Sequence, residues 1–591
     1  MGNTFSYLGI PDWFGTAIIV LLIIGFPVSM ILAWVFDIAA EGIVRTKDKT
    51  EAPTTMRPLI GNTALGIVAS IAIFVAVWSF IDRDEESPGT SFEHSIAVMP
   101  FDNLTGDEAF DVWSKGMARL MTTKLSGSDE LYVLDSQAAF DILDGLTRVK
   151  EMVKSAGLNL DAMQSVGERA QVENLILGEI LKAGSRLRLS VRVVLAESGE
   201  VLFATQTNGD TEDDLFTMAE ELAQAVQDHL EIEVLEKDLT PDYATGFTSA
   251  KAYRLYLDGF DLWVRGRPDL EEALALFEQA WQLDPQPALA TYLIILYHQL
   301  YMPDSLASIR AQVEPRLPGL SLIERHEIMH SIASAEKDYA KAARHLEEYL
   351  SRQPSNRPWW FNLGLLQRYM GQWEKAAKSF EYSLELGRRW NSPLTWPYLY
   401  TFLPDAYHYL GRHQEEPAIY LEGLALWPDM AYLHRRLGSS YLELGRASEA
   451  TQALAQMDRL ARQSGESMST RFRWRGDAFE RAGFLDSAQV YYQSALVTDS
   501  GNANNLNALA DLLINHDIDI DRGVALASKA VAHMPEDDAI LDTYGWGLYK
   551  QGHSQQALGI LEKAYRLAMY VDYFQSQHLS IVRKAVAEGK Q

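Results

Sequence analysis

Residues 360–380 read WFNLGLLQRYMGQWEKAAKSF, and the fold follows from this stretch. Trp360 and Leu363 precede Gly364, Gly371 interrupts the run, and Ala376 and Phe380 lie four apart on a second helical face. Small residues let two helices approach closely, large apolar ones fill the space between them, and glycine ends the first. The same register recurs down the chain. Its anchors are Ala342, Ala376, Glu416, Ala450, Ala488, Gly523 and Ala557, at steps of 34, 40, 34, 38, 35 and 34 residues. Leu437-Gly438 and Tyr441 lead to Ala450 and Leu454; Ala273, Phe277 and Ala280 end in Asp284-Pro285; Ala530 is followed by Pro535. Gly371, Gly411, Gly445, Gly483 and Gly552 each stand five residues before an anchor, where a turn between paired helices belongs. A period near 34 predicts an all-α solenoid of about nine helix pairs over residues 250–570, with 571–591 as a tail.

At 591 residues the chain is too long for a single core. Its formal net charge of -28 and pI near 4.9 repel a phosphate backbone, which argues against nucleic acid as a partner. Cysteine is absent, excluding disulfides, thiolate metal sites and cysteine nucleophiles.

Two uncharged runs stand near the start, Trp13–Phe36 and Leu59–Ile81, after a short segment 1–12. Each is long enough to cross roughly 30 Å of hydrocarbon as a helix. The loop 37–58 carries Arg45, Lys47, Lys49 and Arg57, whereas residues 1–12 carry no Lys or Arg and the second run exits into Asp82-Arg83-Asp84-Glu85-Glu86. The positive-inside rule then predicts a cytoplasmic loop and extracytoplasmic flanks. On this reading the protein is an integral, multi-pass membrane protein, with the bulk of the chain extracytoplasmic.

After a polar linker (82–94), strands and helices alternate over residues 95–232. Ser95–Phe101 and Leu131–Leu134 read as strands; Asp107–Leu125 and Ser136–Ser155 read as helices. Leu175–Ile180 and the alternating Leu187, Leu189, Val191 and Val193 flank an Ala183-Gly184-Ser185 turn, predicting a hairpin. A strand from Val201 to Thr205 and a helix from Asp214 to Leu230 complete a compact α/β domain. The predicted fold class is therefore multi-domain: two transmembrane helices, a compact α/β domain and an all-α solenoid.

The anchors match the tetratricopeptide pattern W-x2-L-G-x2-Y…A-x3-F…P, so the solenoid resembles a tetratricopeptide (TPR) array. The stretches "SIAVMPFDNLTGDEAFDVWSKGMARLMTTKLS" and "NLILGEILKAGSRLRLSVRVVLAESGEVLFATQ" resemble the TolB amino-terminal-like (FlgO-like) domain, and "IPDWFGTAIIVLLIIGFPVSMILAWVFDIAAEGIVRTKD" resembles the anchor of the same bacterial proteins. The resemblance implies a membrane-anchored interaction protein of the bacterial inner membrane, its bulk periplasmic, coupled in some relatives to a cytoplasmic regulatory or cyclase domain. Relatives also carry a further span before this anchor, which implies a start upstream of Met1.

His326-Glu327-Ile328-Met329-His330 is a literal H-E-x-x-H, in which histidines four apart could bind zinc with the glutamate as general base. Its place in the first helix of a repeat makes both histidines packing positions, and Glu347 or Glu348 would have to supply a third ligand. Asp517-x-Asp519-x-Asp521 hints at a calcium loop but lacks the glycine and glutamate that an EF-hand needs, which favours an acidic turn. No phosphate loop, dinucleotide fingerprint or nucleophile elbow occurs. The expectation is no catalysis, no cofactor and no bound metal, with His326 and His330 the weak metal candidates. What remains is a groove. First helices line it, and the repeat register aims Arg368, Arg435, Arg473, Asp477, Glu480, Trp546 and Tyr549 into it, with Tyr398 and Tyr432 close by. Arginine among aromatics suits a protein or peptide partner. The expected function is an anchored extracytoplasmic scaffold; the alternatives are the sensory half of a signalling system with its output on another chain, and a zinc metallohydrolase.

Overall fold

The computed structural model describes residues 36–39, 42–45, 94–126, 131–147, 160–230, 246–265, 269–392 and 397–589. They belong to two units, residues 1–87 and 88–591. In the first, β1 (Phe36–Ala39) and β2 (Gly42–Arg45) pair antiparallel, with Phe36 opposite Arg45.

No helix among the described residues is long and apolar enough to cross a membrane. This corrects the fold class with two transmembrane helices, the inner-membrane localisation and the membrane as a partner. The runs Trp13–Phe36 and Leu59–Ile81 lie outside the described residues, apart from Phe36, as do 1–12 and 82–93. An uncharged run meets the length condition for a span without compelling a continuous helix. Where the chain is described, Phe36–Ala39 and Gly42–Arg45 pair their backbone groups across strands, in part of what the sequence reading took for span and basic loop.

In the second unit a sheet runs in the order β5-β3-β6-β7-β8. β3 (His94–Val98) lies parallel to both β5 (Leu131–Val133) and β6 (Asn174–Ala183), and the short β4 (Asp102–Asn103) adds to β6. β7 (Arg186–Leu195) and β8 (Val201–Gly209) complete an antiparallel meander. The alternating residues of β7 bury Leu187, Leu189, Val191 and Val193. Helices α1 (Asp111–Leu125) and α4 (Asp214–His229) pack on this domain, with α2 (Ser136–Thr147) and α3 (Leu160–Ala170) completing it.

The array follows as antiparallel helix pairs. The first three are α5 and α6 (Ala250–Arg265, Leu270–Leu283), α7 and α8 (Pro287–Gln299, Pro303–Val313), and α9 and α10 (Leu322–Ala335, Tyr339–Arg352). The middle three are α11 and α12 (Arg357–Tyr369, Trp373–Trp390), α13 and α14 (Leu399–Tyr409, Glu416–Leu426), and α15 and α16 (Ala431–Glu443, Ala447–Gln463). Then come α17 and α18 (Met468–Arg481, Leu485–Thr498), α19 and α20 (Ala503–Asn515, Ile520–His533), and α21 and α22 (Asp538–Lys550, Ser554–Leu567). A last helix, α23 (Tyr573–Ala587), packs against α22, where the sequence reading left a tail. The turn glycines Gly371, Gly411, Gly445, Gly483 and Gly552 all take φ between +69° and +89°, the left-handed conformation that glycine adopts without a Cβ penalty. Gly438 marks the close approach within a pair: a Cβ there would stand 2.7 Å from the Leu454 side chain.

Two contacts give the array its form. Its first half docks on the α/β domain, where Tyr253 donates to the Gly116 carbonyl at 2.8 Å and Arg357 meets Asp141 at 2.7 Å. Its far end returns to the third and fourth pairs. The Val571 N–H donates to the Tyr339 hydroxyl at 2.7 Å, Lys337 donates to the Tyr565 carbonyl at 2.6 Å, and Tyr369 stacks on Tyr570 at 5.9 Å.

Candidate functional site

A row of first helices, α11, α13, α15, α17, α19 and α21, carries a ladder of charged and aromatic groups. At its head the Arg368 guanidinium lies 5.0 Å over the ring of Phe402, on which Tyr398 also stacks at 6.0 Å. Asp405, from α13, is buried and pairs with Arg481 at 2.9 Å and Arg436 at 3.6 Å. Burial pushes its carboxyl up, and the surrounding cations, Arg436 and Arg481 first and then Arg368, more than offset that, leaving it below the usual range.

The centre of the ladder lies between α15 and α17. Arg435 forms an ion pair with Asp477 and lies 5.0 Å over Tyr432, whose hydroxyl accepts from Arg436 Nε at 2.9 Å. Arg473 stands 3.9 Å from Asp477. The Tyr492 hydroxyl sits 3.0 Å from Asp477 and 2.6 Å from Glu480, and His516 faces Glu480 at 3.5 Å. Arg435, Arg436, Ser439, Asp477, Ala478 and Arg481 enclose a cleft. Close by, Arg473 Nε and Arg481 Nε and Nη2 are buried without a hydrogen bond, although Arg481 Nη2 faces Glu416 at 3.7 Å. A buried donor left unpaired carries a desolvation cost that an arriving acceptor would relieve.

Further along, Trp546 stacks on Tyr549 at 5.2 Å and on His578 at 4.2 Å, and His578 meets Asp542 at 2.8 Å. The structure thus gathers Tyr432, Arg435, Arg473, Asp477 and Glu480 into one network. Arg368 and Tyr398 meet on Phe402, and Trp546 and Tyr549 form a separate group. Sequence reasoning missed Asp405, Arg436 and Arg481. Arg436 adjoins Arg435 and so lies off its register, while Asp405 and Arg481 carry no motif at all.

The H-E-x-x-H lies on α9. His326 Nδ1 is 3.2 Å from His345 Nδ1, and His330 Nδ1 is 3.2 Å from the Ala342 carbonyl, with its ring edge-on to Trp359 at 5.0 Å. Both histidines are engaged by α10 and its surroundings. Burial pushes His330 down to about 4. Glu327 goes up to about 8, first through burial and then through Glu324 and Asp135. The signs are opposite in consequence. His330 contributes stability that is full above its ordinary value of 6.5 and lost as pH falls towards 4. Glu327 folds best uncharged, so its contribution is full below 4.5 and lost as pH rises to about 8. Glu327→Gln should therefore melt close to the wild type at pH 5 and gain on the order of a few kcal/mol over it at pH 8. Thermal melts at the two values check this, and a difference independent of pH would refute it. Of the acidic turn residues, Asp517 pairs with Lys550 at 2.8 Å and Asp519 caps α20 by accepting from the Arg522 N–H at 3.1 Å.

No family model matches the chain. It is similar to a Rhizobium meliloti (strain 1021) protein that bears the name adenylate cyclase 3, with 23% identity over 234 residues. That match covers 37% of this chain, which spans 36% of the relative's length. Among solved structures, it is similar to the apo form of RapI (TM-score 0.37, 13% identity, 57% of this chain and 98% of that one). It is similar also to a tetratricopeptide repeat protein from Parabacteroides merdae (TM-score 0.28, 16% identity, 44% and 99%). Such scores carry no detail; the in-register anchors and the paired helices define the class. The described residues form an array of helix pairs of the tetratricopeptide kind beside a small sheet region.

Proposed function

We propose that the array binds a protein or peptide partner through its groove, with the cleft between α15 and α17 receiving an acidic group of that partner. Three arginines lining the cleft, Arg435, Arg436 and Arg481, against a single lining carboxylate, Asp477, carry this reading, with Arg473 beside that carboxylate. A carboxylate would take charge-assisted hydrogen bonds from them, which are among the stronger polar contacts. Arg435 is already committed to Asp477, so its place is to shape the cleft. The α/β domain, taken here as a TolB amino-terminal-like module, buttresses the array; its strand–helix alternation closed by a hairpin supports that assignment.

Arg473 is the residue to test, because its contact with Asp477 is long and its side chain is 24% exposed. Arg473→Ala should weaken capture of acidic peptides at least tenfold, the loss expected of one charge-assisted contact, while the melting curve stays within a degree or two of the wild type. A peptide library displayed against the full chain, read for acidic enrichment, measures this. Neutral or basic enrichment, or equal binding by the variant, would overturn the proposal.

A further inference from the structure

The repeat register breaks once. Six of the seven anchors are Ala or Gly, and the seventh is Glu416, which is completely buried at the start of α14. A lone carboxylate in a close-approach position costs free energy unless something compensates it. Around it stand His408 from the end of α13, His413 from the turn after it, and Glu443 from the last position of α15. His408 Nδ1 lies 3.4 Å from Glu416 Oε1 and 3.2 Å from Glu443 Oε2. His413 Nδ1 lies 3.0 Å from the first and 3.2 Å from the second. All four donor atoms fall within 4.8 Å of one another.

We propose that His408, His413, Glu416 and Glu443 form a structural metal site for a divalent transition ion of the zinc type. In a tetrahedral zinc site, bonds of about 2.0–2.1 Å set neighbouring donors about 3.3 Å apart, the spacing these four nitrogen–oxygen pairs have. Two neutral imidazoles and two carboxylates carry a charge of minus two, which a divalent ion cancels. Hydrogen bonding alone accounts for less of the geometry: His413 Nδ1 bonds Glu416, whereas His408 Nδ1 has no hydrogen-bond partner though two carboxylates face it. The other oxygen of Glu416 faces Arg481 at 3.7 Å, so the carboxylate is anchored from behind while Oε1 points at the histidines. Imidazole with carboxylate selects zinc and its neighbours over calcium or magnesium. Four protein donors leave no open position, so the ion holds structure and does no chemistry. It ties one repeat to the next, since α13, its turn and α14 supply three ligands and α15 the fourth.

The test uses the full chain, stripped with a chelator, dialysed against zinc chloride and assayed by elemental analysis. The wild type and His326→Ala should each retain one equivalent, and His413→Ala with Glu443→Gln should retain none. Zinc should also raise the melting temperature of the wild type and leave that of the double variant unchanged. Should the double variant fail to fold, cobalt(II) in the wild type decides alone: a tetrahedral visible spectrum supports the site. No retained zinc in the wild type, full retention in a folded double variant, or a cobalt spectrum that is absent or octahedral would each overturn it.

Discussion

Replacing Arg357 by alanine should cost about 3–5 kcal/mol, because it strands a buried carboxylate. Arg357 opens α11 and its guanidinium meets Asp141 of α2 at 2.7 Å, with the two side chains 5% and 15% exposed. The same group donates to the Ser392 carbonyl and lies 5.6 Å over Trp390. Burial pushes Asp141 up and Arg357 pulls it back, so removing the arginine leaves the buried carboxylate with the Gln137 amide, at 3.0 Å, but without its ion pair. Around this pair, Asn391 donates to the Gly145 carbonyl at 3.3 Å and Arg169 to that of Trp390 at 3.2 Å. The seam between the α/β domain and the array should loosen first. Hydrogen exchange should report lost protection in α2, α3 and α12 before the distant α19–α21. Adding Asp141→Asn should recover part of the loss, since the stranded charge is then gone. A variant that melts like the wild type, or a double variant no better than the single one, would show that the pair does not hold the seam.

Asp405→Ala should have an effect of similar size by the opposite route, leaving two buried guanidinium groups to face each other. Arg436 and Arg481 both pair with that carboxylate, from α15 and α17. Cutting one member from a buried ionic triad costs about 3–5 kcal/mol where neither remaining charge finds a substitute. A repeat array couples nearest neighbours, so exchange protection should fall in α13–α17 and persist in α19–α21. The contact of Tyr409 with Phe574, at 5.7 Å, gives the damage one further route, into α23. Equal loosening across all the array helices would contradict this localised account. Asp405→Asn, which keeps the shape and loses the charge, should fall between alanine and the wild type.

The candidate site was partly legible in the sequence. Register alone placed Arg435, Arg473, Asp477 and Glu480 on first helices, and those four do converge. Register could not say that Arg435 is consumed by Asp477, because partner choice depends on the distance between successive helices. The uncharged runs near the start were read as spans from length and purity. Those two properties permit a membrane helix without requiring one, and the described residues contain none.

The sequence by itself determined the helix pairs, because period, small anchors and turn glycines are local properties that recur whatever the rest of the chain does. It also determined the hairpin of the α/β domain, through the strict alternation of Leu187, Leu189, Val191 and Val193. Tertiary structure alone decided which residues meet across long separations. The docking of Arg357 on Asp141, the return of Val571 to Tyr339 and the gathering of His408, His413, Glu416 and Glu443 all depend on how much each repeat rotates relative to the last. That rotation sums many small packing contacts between neighbouring pairs, and no single residue encodes it. Glu416 stood in the sequence as an irregular anchor, but only the fold set two histidines and a second carboxylate around it.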